Sequence, residues 1–112
     1  MTFRSFKLGK FKGVELSAAA SEIGVAFYFH SPSLITATAP KDFESVRAAI
    51  ERFIGNASQH EAGSLEPQIY WFNGCIEFDF GRSFVCIPCD SQDVPPLYEI
   101  LKKFIADYEK AA

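Results

Sequence analysis

The chain has 112 residues, of which 48% are hydrophobic and 22% are charged, and its formal net charge is −3. This length provides one domain, residues 1–112, with one core, and so small a net charge excludes charge-driven disorder. No stretch reaches the roughly 18–20 apolar residues that span a bilayer, and the N-terminus lacks the apolar segment of a secretory signal. Three cysteines, an odd number, argue against a closed disulfide framework. We therefore expect a cytoplasmic protein that does not enter membranes.

The first half of the chain is predicted to form strands and then a helix. Alternating and β-branched residues predict four strands, at residues 2–8, 11–18, 23–29 and 34–39. The first two strands are expected to join near Gly9 and Lys10. Apolar residues at helical spacing then predict a helix that Pro40 opens and Gly55 ends. Residues 56–67 have no periodicity and are predicted to be a loop.

The second half contains the strongest local signals. Asn73-Gly74, placed between two alternating runs, is typical of a hairpin with a type I′ turn. Gly81-Arg82 can make a second two-residue turn, which gives a three-strand antiparallel meander. A second helix is predicted to begin at Pro95-Pro96. The order of elements predicts an α+β fold, in which an antiparallel sheet of N-terminal strands and C-terminal meander is packed by two helices.

The two turns fix the register of the meander, so its two faces can be written out. The face directed to the core is predicted to carry Ile69, Trp71, Ile76, Phe78, Phe80, Val85 and Ile87. The opposite face is predicted to carry Tyr70, Phe72, Cys75, Glu77, Asp79, Phe84 and Cys86. If that face were buried, two carboxylates would lack partners, and each buried ion would cost roughly several kcal/mol. If it were fully solvated, three aromatic rings would form an exposed patch typical of an interaction site.

This mixed face leads to the main functional hypothesis. We expect Tyr70, Phe72, Glu77, Asp79 and Phe84 to contact a basic protein partner, because aromatic anchors with surrounding charges are typical of protein interfaces. The chain would then be a non-catalytic protein-binding module without a cofactor, a small acidic inhibitor or immunity-type protein that neutralises its partner by occlusion. The competing interpretation is that the N-terminal strands or the loop at 56–67 cover this face, with a lysine pairing the two acids.

Two further functions are open at this stage. Cys86 and Cys89 form a C-x-x-C motif, and Cys75 lies on the same predicted face as Cys86, so a thiol-dependent or zinc-dependent protein is one alternative. Zinc would need a fourth ligand, for which the chain offers His30 or His60. The second alternative is a homodimeric structural subunit whose aromatic face is self-complementary.

Direct binding of nucleic acid is disfavoured by the charge pattern. Residues 1–12 contain four basic residues and no acid, whereas residues 13–80 carry an acidic excess. A domain that binds nucleic acid usually has a basic excess overall. Lysines that protect an edge strand from unwanted pairing explain the basic N-terminus better than a nucleic-acid platform does.

Overall fold

The computed structural model describes residues 3–111 and confirms the α+β class, with antiparallel strands and two helices. The N-terminal strands form a four-stranded sheet, the first sheet, in the order β1 (Arg4–Phe11), β2 (Val14–Ser21), β3 (Gly24–Ser31) and β4 (Leu34–Ala37). The meander sheet contains β5 (Gln68–Phe72), β6 (Cys75–Asp79) and β7 (Phe84–Pro88). The helices are α1 (Phe43–Gly55) and α2 (Val94–Ala111), with a short 3₁₀ turn at Ser91–Asp93 before α2. The meander is therefore a sheet of its own and does not extend the first one.

The turn between β1 and β2 lies at Lys12 and Gly13, so the predicted turn near Gly9 is wrong. Both turn residues have positive φ, 52° and 80°, which matches the twist of a two-residue hairpin. Gly9 has a φ of 122° and lies at a shift of register within β1, which is a β-bulge. The glycine that was expected to turn the chain instead bends the strand.

Helix α1 begins at Phe43, so Pro40 does not open it as predicted. The N-cap is Asp42, whose carboxylate accepts a hydrogen bond from the Ser45 N–H at 3.0 Å. Just before the cap, the Lys41 backbone is not helical but pairs with that of Val25 through N–H···O bonds of 2.7 and 3.0 Å. This contact holds Lys41 extended beside β3 and delays the first helical turn.

The core joins both sheets and both helices through aromatic rings. The Phe27 ring of β3 lies 5.8 Å from the Phe78 ring of β6, 5.8 Å from the Phe80 ring just after β6, and 5.3 Å from the Phe104 ring of α2. Helix α2 packs along β1, α1 packs along β5, and the two helices contact each other. Going around the core, three junctions between neighbours are thus packed: the first sheet with α2, α2 with α1, and α1 with the meander sheet. The fourth junction lies between β4 and β7, which share no ladder in the described chain.

Candidate functional site

The register predicted for the meander is confirmed. Asn73 and Gly74 have φ values of 51° and 82°, as a type I′ turn requires. Trp71 pairs with Ile76, and Glu77 pairs with Cys86. The side chains predicted to face the core are buried there, apart from Trp71, which is half-buried.

The outer meander face, formed by the remaining side chains, is arranged in three rows across the sheet. The rows are Phe72–Cys75–Pro88, Tyr70–Glu77–Cys86 and Gln68–Asp79–Phe84. Neighbouring strands lie about 4.8 Å apart and residues two apart along a strand about 6.8 Å, so Phe72 and Phe84 stand roughly 17 Å apart at opposite corners. The two carboxylates lie on the central strand between these rings. The face therefore extends over three rows of side chains on three strands.

Exposure differs between the members of this face. Phe72 and Phe84 are 52% and 55% exposed, whereas Tyr70 is only 6% exposed. His60, from the loop at 56–67, stacks on the Tyr70 ring at 4.3 Å and meets Phe72 edge-on at 5.4 Å. The loop therefore covers one part of the face, as the competing interpretation required, and leaves both phenylalanines open to solvent.

The covering loop is held by backbone and amide hydrogen bonds along β5. The Gln68 side chain accepts from the Glu61 N–H at 2.6 Å and donates to the Glu61 carbonyl at 2.8 Å. The backbone N–H of Trp71 donates to the Ala57 carbonyl at 2.7 Å. These bonds protect the outer edge of β5 from further pairing. Sequence alone did not reveal them, because an aperiodic loop carries no signal of what it covers.

The acids on the central strand have no cationic partner among the residues that the structure describes. Within residues 3–111, no lysine, arginine or histidine forms a salt bridge with Glu77 or Asp79. Asp79 accepts a hydrogen bond from the Gly81 N–H at 3.1 Å, which stabilises the second turn. Burial, together with the nearby Glu77 carboxylate, raises the pKa of the Tyr70 hydroxyl well above its usual range. In the described part of the chain, no lysine thus pairs with the two acids as the competing interpretation required.

The positions and pKa shifts of the cysteines bear on the thiol-dependent or zinc-dependent alternative. Cys75 and Cys86 lie on the outer meander face, whereas Cys89 is buried with the core residues. Partial burial, followed by the Cys75 thiol and the Glu77 carboxylate, raises the pKa of Cys86, and burial and Asp93 raise that of Cys89. A nucleophilic thiol needs a lowered pKa, so both shifts have the wrong sign. Over residues 3–111, no three His, Cys, Asp or Glu side chains come together to hold a metal ion.

A second surface feature, which the sequence did not predict, is a cleft between β4 and β7. We call it the β4–β7 cleft, a cavity of about 350 Å³ whose apolar lining is contributed by Val14, Phe29, Leu34, Val85, Ile87 and Pro88. Its far end is closed by the Ala39 N–H, which donates to the Ser83 hydroxyl at 2.6 Å. The only sequence signal was Leu34-Ile35, an apolar pair directly after a turn, and both residues are exposed.

Neither the hydropathy of the helices nor comparison with known proteins indicates what the outer meander face binds. No helix in the part of the chain that the structure describes is long and apolar enough to cross a membrane. No protein-family model matches the chain, and no curated protein or solved structure is detectably similar to it.

Proposed function

We propose that the chain is a non-catalytic protein-binding module of the acidic inhibitor or immunity type, which binds a basic protein through its outer meander face and neutralises it by occlusion. One observation carries this proposal: Glu77 and Asp79 are half-buried between two exposed phenylalanines, and no cation pairs with them in residues 3–111. A partner would supply the missing lysine or arginine.

The energetics favour such a partner. When a partner covers the face, water leaves the carboxylates, and charge-assisted hydrogen bonds to lysine or arginine become stronger. Phe72 and Phe84 add apolar contact area at the two corners, and aromatic side chains often dominate interface energies. Tyr70 does not itself offer contact area, since it is buried. It lies beside Glu77 on the neighbouring strand, and its ring stacks on His60 of the covering loop.

The experiment compares two double variants that remove equal charge. Glu77→Gln with Asp79→Asn removes both central carboxylates but keeps an oxygen that can accept the Gly81 N–H bond. The control, Glu22→Gln with Glu99→Gln, removes two exposed acids elsewhere. The formal net charge changes from −3 to −1 in both. Each protein is immobilised and exposed to lysate of its source cells, and the captured basic proteins are then measured in purified form.

We expect the site variant to bind the purified partner about tenfold or more weakly than the wild type, while the control binds within a factor of about two. The wild-type affinity should also fall as salt is raised, because charge pairing contributes to it. Equal binding by the two variants would show that the outer meander face is not the interface. Thermal unfolding monitored by circular dichroism confirms that both variants are folded.

A further inference from the structure

The edge of β7 beside the β4–β7 cleft presents backbone groups that no strand of the described chain uses. The Phe80 N–H donates to the Ser83 carbonyl at 2.9 Å, and the Cys89 N–H donates to the Gly74 carbonyl at 3.0 Å, which fixes the hydrogen-bonded pairs of this ladder. Because such pairs alternate in an antiparallel ladder, Val85 and Ile87 direct their backbone groups to β6. The N–H and C=O groups of Phe84 and Cys86 are then directed into the cleft.

The facing edge of β4 is open in the same way. The Thr38 N–H donates to the Phe27 carbonyl at 2.9 Å, so alternation directs the backbone groups of Thr36 and Leu34 to β3. Those of Ile35 and Ala37 are directed to the cleft. Native proteins usually protect sheet edges, as the loop at 56–67 does for β5, so two open edges that face each other are unusual.

The cleft between these edges is closed at one end, where the Ala39 N–H bonds to the Ser83 hydroxyl. Its cavity extends from Thr36 towards Leu34 on one side and Pro88 on the other. Its floor is mainly apolar and includes Phe29, Val85 and Ile87. Lys12 also lines the cavity, and its charge is paired with Asp93 at 3.3 Å. An extended chain placed here would direct every second side chain onto this floor and the others outward.

Charge identifies the chemistry of the occupant. Outward side chains of an added strand would lie on the outer meander face beside Cys86. Strand β7 would separate them from Glu77 and Asp79 on β6. That separation from β6 is about 10 Å, which a long side chain meeting a carboxylate can bridge. Lysine or arginine at the outward positions would neutralise the two acids, while apolar residues at the inward positions would fill the cavity.

We infer that the basic partner is bound by strand addition: an extended segment of it, alternating apolar and basic residues, pairs with the free edge of β7 inside the β4–β7 cleft. The inference rests on the proposed function and specifies how the partner is held. Main-chain hydrogen bonds provide affinity in this mode, and the alternating side chains provide specificity.

The test uses a synthetic probe, acetyl-Lys-Val-Lys-Val-Lys-Val-Lys-amide, and isothermal titration calorimetry. Cys86→Pro removes one outward N–H of β7, and its fold should persist because that N–H is not part of the ladder with β6. Cys86→Ala is the matched control, since it also removes the thiol but keeps the N–H. We expect the control to bind like the wild type and Cys86→Pro to bind about tenfold more weakly.

A second arm leaves the protein unchanged and alters the peptide. N-methyl groups on alternate residues remove the N–H groups along one edge, and placing them on either alternate set blocks one edge at a time. One of the two methylated peptides should lose binding, and a peptide with Glu in place of Lys should not bind. Amide hydrogen exchange measured by NMR should show the Phe84 and Cys86 amides becoming protected when the unmodified probe is added.

Other outcomes separate this inference from the proposed function. Equal binding of all methylated peptides and of Cys86→Pro would overturn strand addition and leave the outer meander face as a charge-based interface. Capture of a basic protein without any binding of the lysine probe would overturn strand addition as well. Protection of Ile35, Phe84 and Cys86 that rises with protein concentration alone would show that a second copy of the chain occupies the cleft, which also overturns the inference.

Discussion

Tyr70 is the residue at which burial and charge meet on the outer meander face. Its ring lies beneath His60, and its hydroxyl is near the Glu77 carboxylate. Both conditions raise the pKa of Tyr70: burial removes water from the phenolate, and Glu77 accepts a hydrogen bond from the neutral hydroxyl and repels a second negative charge. The same arrangement places the half-buried Glu77 carboxylate beside the Tyr70 hydroxyl.

The raised pKa of Tyr70 gives a prediction at high pH. Its ordinary value is about 10. Because the folded state holds the neutral form, Tyr70 contributes stability below pH ~10 that is lost as the pH rises through the higher folded pKa. The difference between the absorbance titrations of wild type and Tyr70→Phe isolates this residue, and its midpoint should lie above ~10. Glu77→Gln should lower that midpoint, and an unchanged midpoint would show that Glu77 does not act on Tyr70.

At the scale of elements, the meander could be predicted from sequence and the first sheet only in part. Asn73 and Gly74 specify their turn locally, and a two-residue turn fixes the register on both sides. The first hairpin offers two glycines, Gly9 and Gly13, and only the pairing of the strands decides which of them turns the chain. The start of α1 was predicted three residues early because Lys41 is held by β3, a contact between residues distant in sequence.

The candidate site likewise has features that the sequence predicts and features that it does not. Which residues occupy the outer meander face follows from local turns, and all of them were placed correctly. The cover that His60 provides over Tyr70, and the gap between β4 and β7, depend on how a loop and two sheets pack around the helices. No local pattern encodes either feature.

The contact between β3 and Lys41 can be tested by a glycine substitution. Gly24 has a φ of 123°, and a Cβ atom there would lie 2.6 Å from the Lys41 carbonyl oxygen. Gly24→Ala should therefore lower the free energy of unfolding by about 1–3 kcal/mol, since backbone must move to relieve the overlap. Gly55→Ala is the control, because Gly55 has open space around its Cβ position and an ordinary φ. It should be neutral or stabilise by about 0.4–1 kcal/mol. Urea denaturation measures both, and equal effects would contradict a tight contact at Lys41.

At the scale of the whole molecule, the chain uses its twelve phenylalanines in two ways. Phe27, Phe53, Phe78, Phe80 and Phe104 are fully buried and connect the two sheets with the helices. Phe72 and Phe84 have the same side chain and more than half of it in water. Exposed aromatic area contributes nothing to the core, so Phe72 and Phe84 are the two rings of this face that the proposed partner could contact.

Deleting one ring from each group separates these two uses. Phe27→Ala should cost about 3–5 kcal/mol, because it opens a cavity where the first sheet, the meander sheet and α2 meet. Phe84→Ala should change the free energy of unfolding by less than about 1 kcal/mol, as surface substitutions usually do. Urea denaturation followed by circular dichroism gives both values. In calorimetry with the lysine probe, Phe84→Ala should weaken binding although it is as stable as the wild type. Were Phe84→Ala instead to destabilise the fold as much as Phe27→Ala, its ring would belong to the core, and the outer meander face would lose one of its two aromatic anchors.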